Sequence, residues 1–422
     1  MKKRRIIQLI LLAVFIILPI FFIRILPNYL SISDPTDADK IYEGHYTGYH
    51  LITEGRGTIQ IMNLNTREIL WETEEPQFFV HDADMLPGGN TIIVADTNAD
   101  RVFVMNLSNK AILWDWYARN NTHNEFVPYN NWTQFGLDND WSDEAIAHTE
   151  NFDQVFGPMM WYSHLNSVEY INGAMFGRTY DSILISLRNF DMIIEVNYTA
   201  QKGEPGYKNI TWHYGEPLRH DILNHQHAII RLPNGHTTIC DSDNYRVIEI
   251  NETNHVVWEY TDNKLRWVRD VELLPNNNYL IADSVNNRII EVNRTTKQIV
   301  RTFTDLRLNI PFDAEYIPED NQLLVSSHPG QILLIFNYDT TQVIDSLGVL
   351  WIFAPFFIIL LIVIAYLSVD CVYQFKKMKE KSIKNRFLSQ SIYSKFILII
   401  SAILAILWFN YIFSFILYNI IM

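Results

Sequence analysis

Residues 224–251 read NHQHAIIRLPNGHTTICDSDNYRVIEIN, and the order of turns and strands in this stretch decides the fold. His227 heads an apolar strand, Pro233, Asn234 and Gly235 supply a turn, and HTTIC returns as a second strand. Asp241 to Tyr245 turn again into RVIEIN, where apolar and polar residues alternate with the period of two that a strand facing two environments requires. The stretch has the layout of half a propeller blade.

The last twelve positions recur along the chain. ITEGRGTIQIMN ends at Asn63, ADTNADRVFVMN at Asn106, SLRNFDMIIEVN at Asn197, ADSVNNRIIEVN at Asn293 and SSHPGQILLIFN at Asn337. With Asn251 the intervals between these Asn residues are 43, 91, 54, 42 and 44, a single period interrupted by two insertions. About 40 to 45 residues is what a four-stranded blade needs. Each Asn is followed by a fourth strand, such as REILWET or HVVWEY. The expected fold is an all-β, six-bladed propeller occupying residues 40–346.

Around the propeller lie three apolar stretches, at 1–26, 347–369 and 396–422, each long enough for a hydrocarbon layer of ~30 Å. The first opens on the basic MKKRR, runs apolar from Ile6 to Ile25 and lacks a small-residue cleavage site, so it reads as a signal anchor that is retained. The loop at 370–395 contains seven Lys and Arg residues. The positive-inside rule therefore puts the N-terminus and this loop in the cytoplasm and the propeller outside the cell membrane. The loop reads as a topology determinant attracted to anionic headgroups. Cys240 and Cys371 would lie on opposite sides of the bilayer and cannot pair. Residues 27–369, excluding the basic ends, hold 21 basic and 45 acidic residues, a charge of −24. Such a surface repels nucleic acid. Seven N-x-Ser/Thr sequons, at Asn106, Asn120, Asn131, Asn197, Asn209, Asn251 and Asn293, fall on the outer side, as a glycoprotein would have them.

Up-and-down connectivity makes the start of the innermost strand and the turn between strands 2 and 3 neighbours on one face. Strand starts carry His81, His164, His227, Arg269 and Phe312, and the turns carry Arg188 and, in the same register, His328. Imidazoles and guanidinium groups converging inside an acidic domain suit a tetrahedral oxyanion. A zinc ion held by three imidazoles is the competing chemistry, disfavoured by the adjacent Arg. An insertion at 117–163, rich in aromatic residues, is expected to form a lid that lines a phenol-sized pocket, with a packed rim decoration as the alternative.

HLNSV at 164–168, SLRNFDMIIEV around Arg188, QHA at 226–228 and HDADMLPGGN from His81 resemble the arylsulfotransferase family of six-bladed extracytoplasmic propellers. The resemblance covers roughly residues 46–336. It implies transfer of a sulfuryl group from an aryl sulfate donor to a phenolic acceptor, with no cofactor and no metal. It makes His227 the nucleophile that becomes sulfohistidine, with His164 and Arg188 assisting transfer and His81 and Asn166 binding sulfate. Arg269 and His328 join the substrate-binding set by position. A neutral imidazole is nucleophilic near neutral pH, and fixed donors stabilise the charge that develops on the sulfuryl oxygens. Where the family usually has Asp after the nucleophile, this chain has Ala228. A membrane-tethered propeller that binds an anionic ligand or partner protein without catalysis is the alternative. Both tethers are expected on the His face, which would turn the mouth towards the membrane surface.

Overall fold

In the computed structural model, the described residues are 32, 34–73, 79–118, 132–156 and 162–348. The stretches at 1–26 and 396–422, the basic loop, and the stretch at 347–369 beyond Gly348 lie outside them; Leu347 and Gly348 belong to the last strand instead of opening a membrane span. Among the described residues no helix is long and apolar enough to cross a membrane.

Residues 28–348 form one unit of six four-stranded antiparallel sheets, each built from four consecutive strands. The innermost strands of blades 1 to 6 are Pro35–Lys40, Val80–Met85, Leu165–Ile171, Ile229–Arg231, Val268–Leu273 and Asp313–Ile317. The propeller thus begins five residues ahead of the expected boundary at 40, because the acidic segment PTDADK pairs with His50–Glu54. It ends with the strand Val343–Gly348. The sequence conceals that first strand because its alternation is acidic instead of apolar: one set of side chains faces an axis lined with carboxylates.

Strands in the middle of a blade are covered on both faces and read as near-continuous β-branched and aliphatic runs. Ser182–Leu187 and Met192–Asn197 are buried throughout, as sandwiched strands require. Outer strands begin exposed and become buried only towards their ends. The core lies between blades: Leu51, Ile61, Val94 and Phe103 fill one junction, and Ala282, Phe303, Val325 and Phe336 another.

Polar clasps join the inner strands. Asp37 accepts the amide of Ala83 at 3.1 Å, Asp82 that of Val168 at 2.8 Å, and Glu169 that of Arg231 at 2.6 Å. Asp270 and Glu272 accept from Ala314 and Tyr316, and Glu315 accepts from Lys40 at 2.7 Å, closing the ring. Each carboxylate satisfies an amide that the inner edge of a blade would otherwise leave unpaired. The junction between blades 4 and 5 differs. There Ala228 donates its own amide to the carbonyl of Arg269 at 3.1 Å.

The recurring Asn has a local cause as well. The Oδ1 of Asn106, Asn197, Asn251 and Asn293 accepts backbone amides two or three residues onward, and Ser108 and Thr253 add their hydroxyls. Asn63 and Asn337 cap the same turn. Asn followed by Ser or Thr is Asx-turn chemistry at the end of strand 3, which accounts for four of the seven sequons without invoking a glycan.

The described part of the insertion after blade 2 packs on the blades, as the rim decoration would. It contains a short helix, Trp132–Asp138, and a longer one, Asp143–Phe156. Trp132, Phe135, Trp141 and Tyr162 are buried in the core shared by blades 2 and 3, against Trp116 and Phe190, and Trp132 donates its indole N–H to the carbonyl of Ala118 at 2.7 Å. These rings are packed edge to face on one another. Phe126, Tyr129 and Trp161 and the side chains of Phe152 and Phe156 lie outside the described residues. Trp132 and Tyr162 both pack on Phe190, two residues from Arg188, so the described insertion acts as a buttress for that turn.

Candidate functional site

The residues at the mouth of the channel are placed by a repeated backbone irregularity. Strand pairing slips by one residue at Thr36 in blade 1, His81 in blade 2, Asn166 in blade 3 and Arg269 in blade 5. His227 and Phe312 hold the same place, donating their amides to Cys240 and Ser326. A bulge carries one residue out of the ladder and re-aims it, and here it aims six side chains at one end of one channel.

Two further registers contribute. Two residues ahead of the bulge the backbone turns left-handed, with φ of 46° at His164, 48° at His225, 56° at Trp267 and 49° at Ile310. The residue of blade 3 in register with His81 is therefore Asn166, and His164 belongs to this earlier row, a correction to the reading that put His81 and His164 in one register. The third row is the elbow between strands 2 and 3, occupied by Thr97, Arg188, Ser242, Ser284 and His328. In blades 2, 3 and 5 the elbow is a single 3-10 turn closed by a left-handed Asp or Asn, residues that tolerate that conformation. Arg188 and His328 thus share a register, as the sequence indicated.

His81 and His164 face each other with Nε2 to Nε2 at 3.2 Å. A guanidinium nitrogen of Arg269 lies 3.4 Å from His81 Nδ1. Since guanidinium only donates, Nδ1 of His81 accepts, and its Nε2–H donates to His164. Arg269 lies 3.4 Å above the ring centroid of Phe312 and 4.8 Å from that of Trp267. Asn166 donates to the carbonyl of Gln226 at 3.0 Å, and its Oδ1 is buried without a partner. Arg188 donates to Asn189 at 2.9 Å and keeps a buried, unpartnered Nε–H. His227 is 3 % exposed and stands edge-on to Trp267 at 5.3 Å.

Burial, followed by the nearby charges of Arg269 and Arg188, holds His227 well below the usual imidazole range, so the ring is neutral. Burial and cationic neighbours act on His81 and His164 in the same direction. His81, Asn166, His227, Arg269 and Phe312 line a cavity of about 280 Å³; His164, Arg188 and His328 do not contribute to its wall. His328 lies to one side, its Nδ1 2.6 Å from Asp34 Oδ1, between the rings of Phe79 and Phe312.

His328 depends on Gly55. A Cβ at residue 55 would stand 2.4 Å from His328 Cε1, and the ring is hemmed in by two phenyl groups. Gly55→Ala is expected to cost about 1–3 kcal/mol by overpacking and to break the Asp34 contact, read as a lower melting temperature.

Sequence reasoning missed His225, whose Nδ1 is 2.7 Å from Asp243 and whose left-handed position matches that of His164. The signal was present in NHQH, where His225 stands two residues ahead of His227 as His164 stands two ahead of Asn166. It also missed the second tier of the cavity, formed by Asp37, Asp39, Asp82, Asp84, Glu169, Asp270, Glu272, Asp313 and Glu315. Burial raises these carboxyls, to about 6 for Asp82, about 7 for Asp270 and about 8 for Glu169, Glu272 and Glu315. Among the described residues no three His, Cys, Asp or Glu side chains converge as a metal-ligand set.

Fold and site together define a six-bladed propeller with an imidazole- and guanidinium-lined mouth above a carboxylate-lined channel. No protein-family model matches the chain, and no curated protein matches it. Among solved structures it is similar to virginiamycin B lyase from Staphylococcus aureus, at 11 % identity with a TM-score of 0.45, over 75 % of this chain and 85 % of the other. It is also similar to a streptogramin B lyase, at 13 % identity with a TM-score of 0.46, over 76 % and 85 %.

Proposed function

We propose that this chain is a membrane-anchored, extracytoplasmic sulfotransferase that moves a sulfuryl group from an aryl sulfate to a phenol through a sulfohistidine on His227. The observation that supports it is a neutral, buried imidazole in the wall of a small cavity, flanked by Arg269, Asn166 and the His81–His164 pair. The ring is nucleophilic because it is unprotonated, and the guanidinium of Arg269 is positioned for an anionic donor. A bond forms between His227 nitrogen and sulfur as the S–O bond to the aryl group breaks, and the aryloxide leaves with that electron pair. In the second half, the acceptor phenol attacks sulfur, the S–N bond breaks, and the phenolic proton passes to the imidazole pair of His81 and His164.

Incubating the full-length protein with an aryl sulfate and measuring intact mass tests this. An adduct of about 80 Da, absent from His227→Ala, is expected for a covalent sulfuryl intermediate. Binding of the donor with neither adduct nor phenol release would replace transfer by the non-catalytic, anion-binding reading.

A further inference from the structure

We propose that Ser242 fixes the tautomer of His227, keeping the proton on Nδ1 so that the lone pair of Nε2 is the one presented to sulfur. The assignment rests on the transfer reading for its chemistry, but the proton placement stands on geometry alone. Ser242 Oγ lies 2.7 Å from His227 Nδ1, 2.6 Å from the carbonyl of Val268 and 3.2 Å from that of Cys240. A carbonyl can only accept, and a hydroxyl has one hydrogen. That hydrogen is committed to the carbonyls, foremost Val268, so Ser242 can only accept from Nδ1. Nδ1 must therefore carry the proton. The ring is neutral and has one N–H, which leaves Nε2 with its lone pair.

The repeat separates this role from mere scaffolding. At the same elbow position Thr97 donates to the carbonyl of Leu165 at 2.7 Å and Ser284 to that of Pro311 at 2.6 Å. Each hydroxyl thus bolts its elbow to the residue just ahead of the next blade's bulge. That bond is structural and common to three blades. Only in blade 4, among the described residues, does the hydroxyl also meet a ring nitrogen. The residue after the nucleophile is Ala228, which offers no carboxylate to orient the ring; the elbow hydroxyl does so from the neighbouring turn. Through Val268 it also ties His227 to the strand that carries Arg269. When the N–S bond forms at Nε2 the Nδ1 proton stays in place, and the positive charge gained by the ring is shared along Nδ1–H···Oγ. No proton crosses Ser242 in either half of the reaction.

Nitrogen NMR of the full-length protein, labelled at histidine and assigned by loss of the His227 signal in His227→Gln, reads the tautomer without reference to activity. The unaltered protein is expected to show a protonated Nδ1 and a pyridine-type Nε2 at His227. Ser242→Ala is expected to mix the two tautomers and to lower kcat about tenfold with KM little changed, Ser242→Thr to restore both, and Ser284→Ala to move neither. A protonated Nε2 in the unaltered protein would overturn the assignment with no variant needed. So would an unchanged tautomer in Ser242→Ala, or the same shift in Ser284→Ala. A tautomer that responds as stated, in a protein that never forms the sulfuryl adduct, would uphold Ser242 and overturn the transfer reading.

Discussion

Arg269→Ala is expected to lower kcat/KM for the proposed sulfuryl transfer by about 10²–10³-fold, the loss that follows removal of one preorganised donor from a buried site of charge development. Arg269 is only 6 % exposed. Its guanidinium is held over the ring of Phe312, with Trp267 beside it and His81 accepting from one end. The group is fixed before substrate arrives, so little reorganisation accompanies the reaction. Arg269→Lys keeps a charge but not the planar fork that stacks and donates in two directions, and it is expected to recover about tenfold at most. Initial rates with one aryl sulfate donor and one phenol, alongside melting curves, check this. A loss below tenfold in a stably folded Arg269→Ala protein would remove Arg269 from the transfer machinery.

The second large effect concerns pH. Carboxyls with raised folded-state values bind protons that the unfolded chain has already released, so stability falls as pH rises through that window and is regained on acidification. Asp270 near 7 and Glu169, Glu272 and Glu315 near 8 place the window between about pH 8.5 and pH 6.5. Above about pH 7.5 the buried histidines are neutral in both states and contribute nothing. Lower down, His81, His164 and His227 act with the opposite sign: their folded values are depressed, so from about pH 7.5 downward the unfolded chain gains protons that the folded chain does not, and the climb is shallower at the acid end of the window. Each full proton of difference is worth about 1.4 kcal/mol per pH unit. The melting temperature is therefore expected to climb by several degrees as pH is lowered from about 8.5 to 6.5, and Glu272→Gln is expected to flatten the climb. A melting temperature that falls over this interval would show that the channel carboxyls are ionised in the folded protein.

Much of the fold could be read because the repeat writes its turns in residues with few alternatives. Asn at the end of strand 3 caps an Asx turn, and Gly235 takes a left-handed φ of 86°. The blades could be counted from these. The site was legible residue by residue, since His81, Asn166, His227, Arg269, Arg188 and His328 all lie on one face, yet its rows were not. A bulge adds one residue without changing composition, so nothing in HLNSV says whether His164 or Asn166 occupies the extra place; only the ladder of Leu187 and Ser186 on the neighbouring strand decides. The partner of His227 was hidden for another reason. Ser242 is fifteen residues away and looks like the Thr and Ser of the other elbows, whose bond to the next blade it also makes. Aromatic richness left the insertion open between lid and rim decoration because the same rings that stack on a phenol also pack on one another, and the sequence does not say which partner they have.

Because every blade is made of four consecutive strands, no strand is lent across the gap where blade 6 meets blade 1. The ring is sealed there by Ser326 donating to the carbonyl of Thr36 at 2.8 Å, Lys40 with Glu315, Glu319 and Asp320, Arg67 with Asp345, and His328 against Asp34. A closed band fastened without a shared strand has a preferred place to part, and although Ile52, Leu324 and Leu333 share a buried cluster across this one, its polar contacts reach the mouth of the channel at His328 and Thr36. Local opening would begin where Phe312, Thr36 and His328 meet, and a ligand seated against Phe312 acts as a latch across it, stabilising the closed ring by mass action. Occupancy of the mouth and integrity of the ring are in this way one equilibrium, with the ligand serving as the missing rivet.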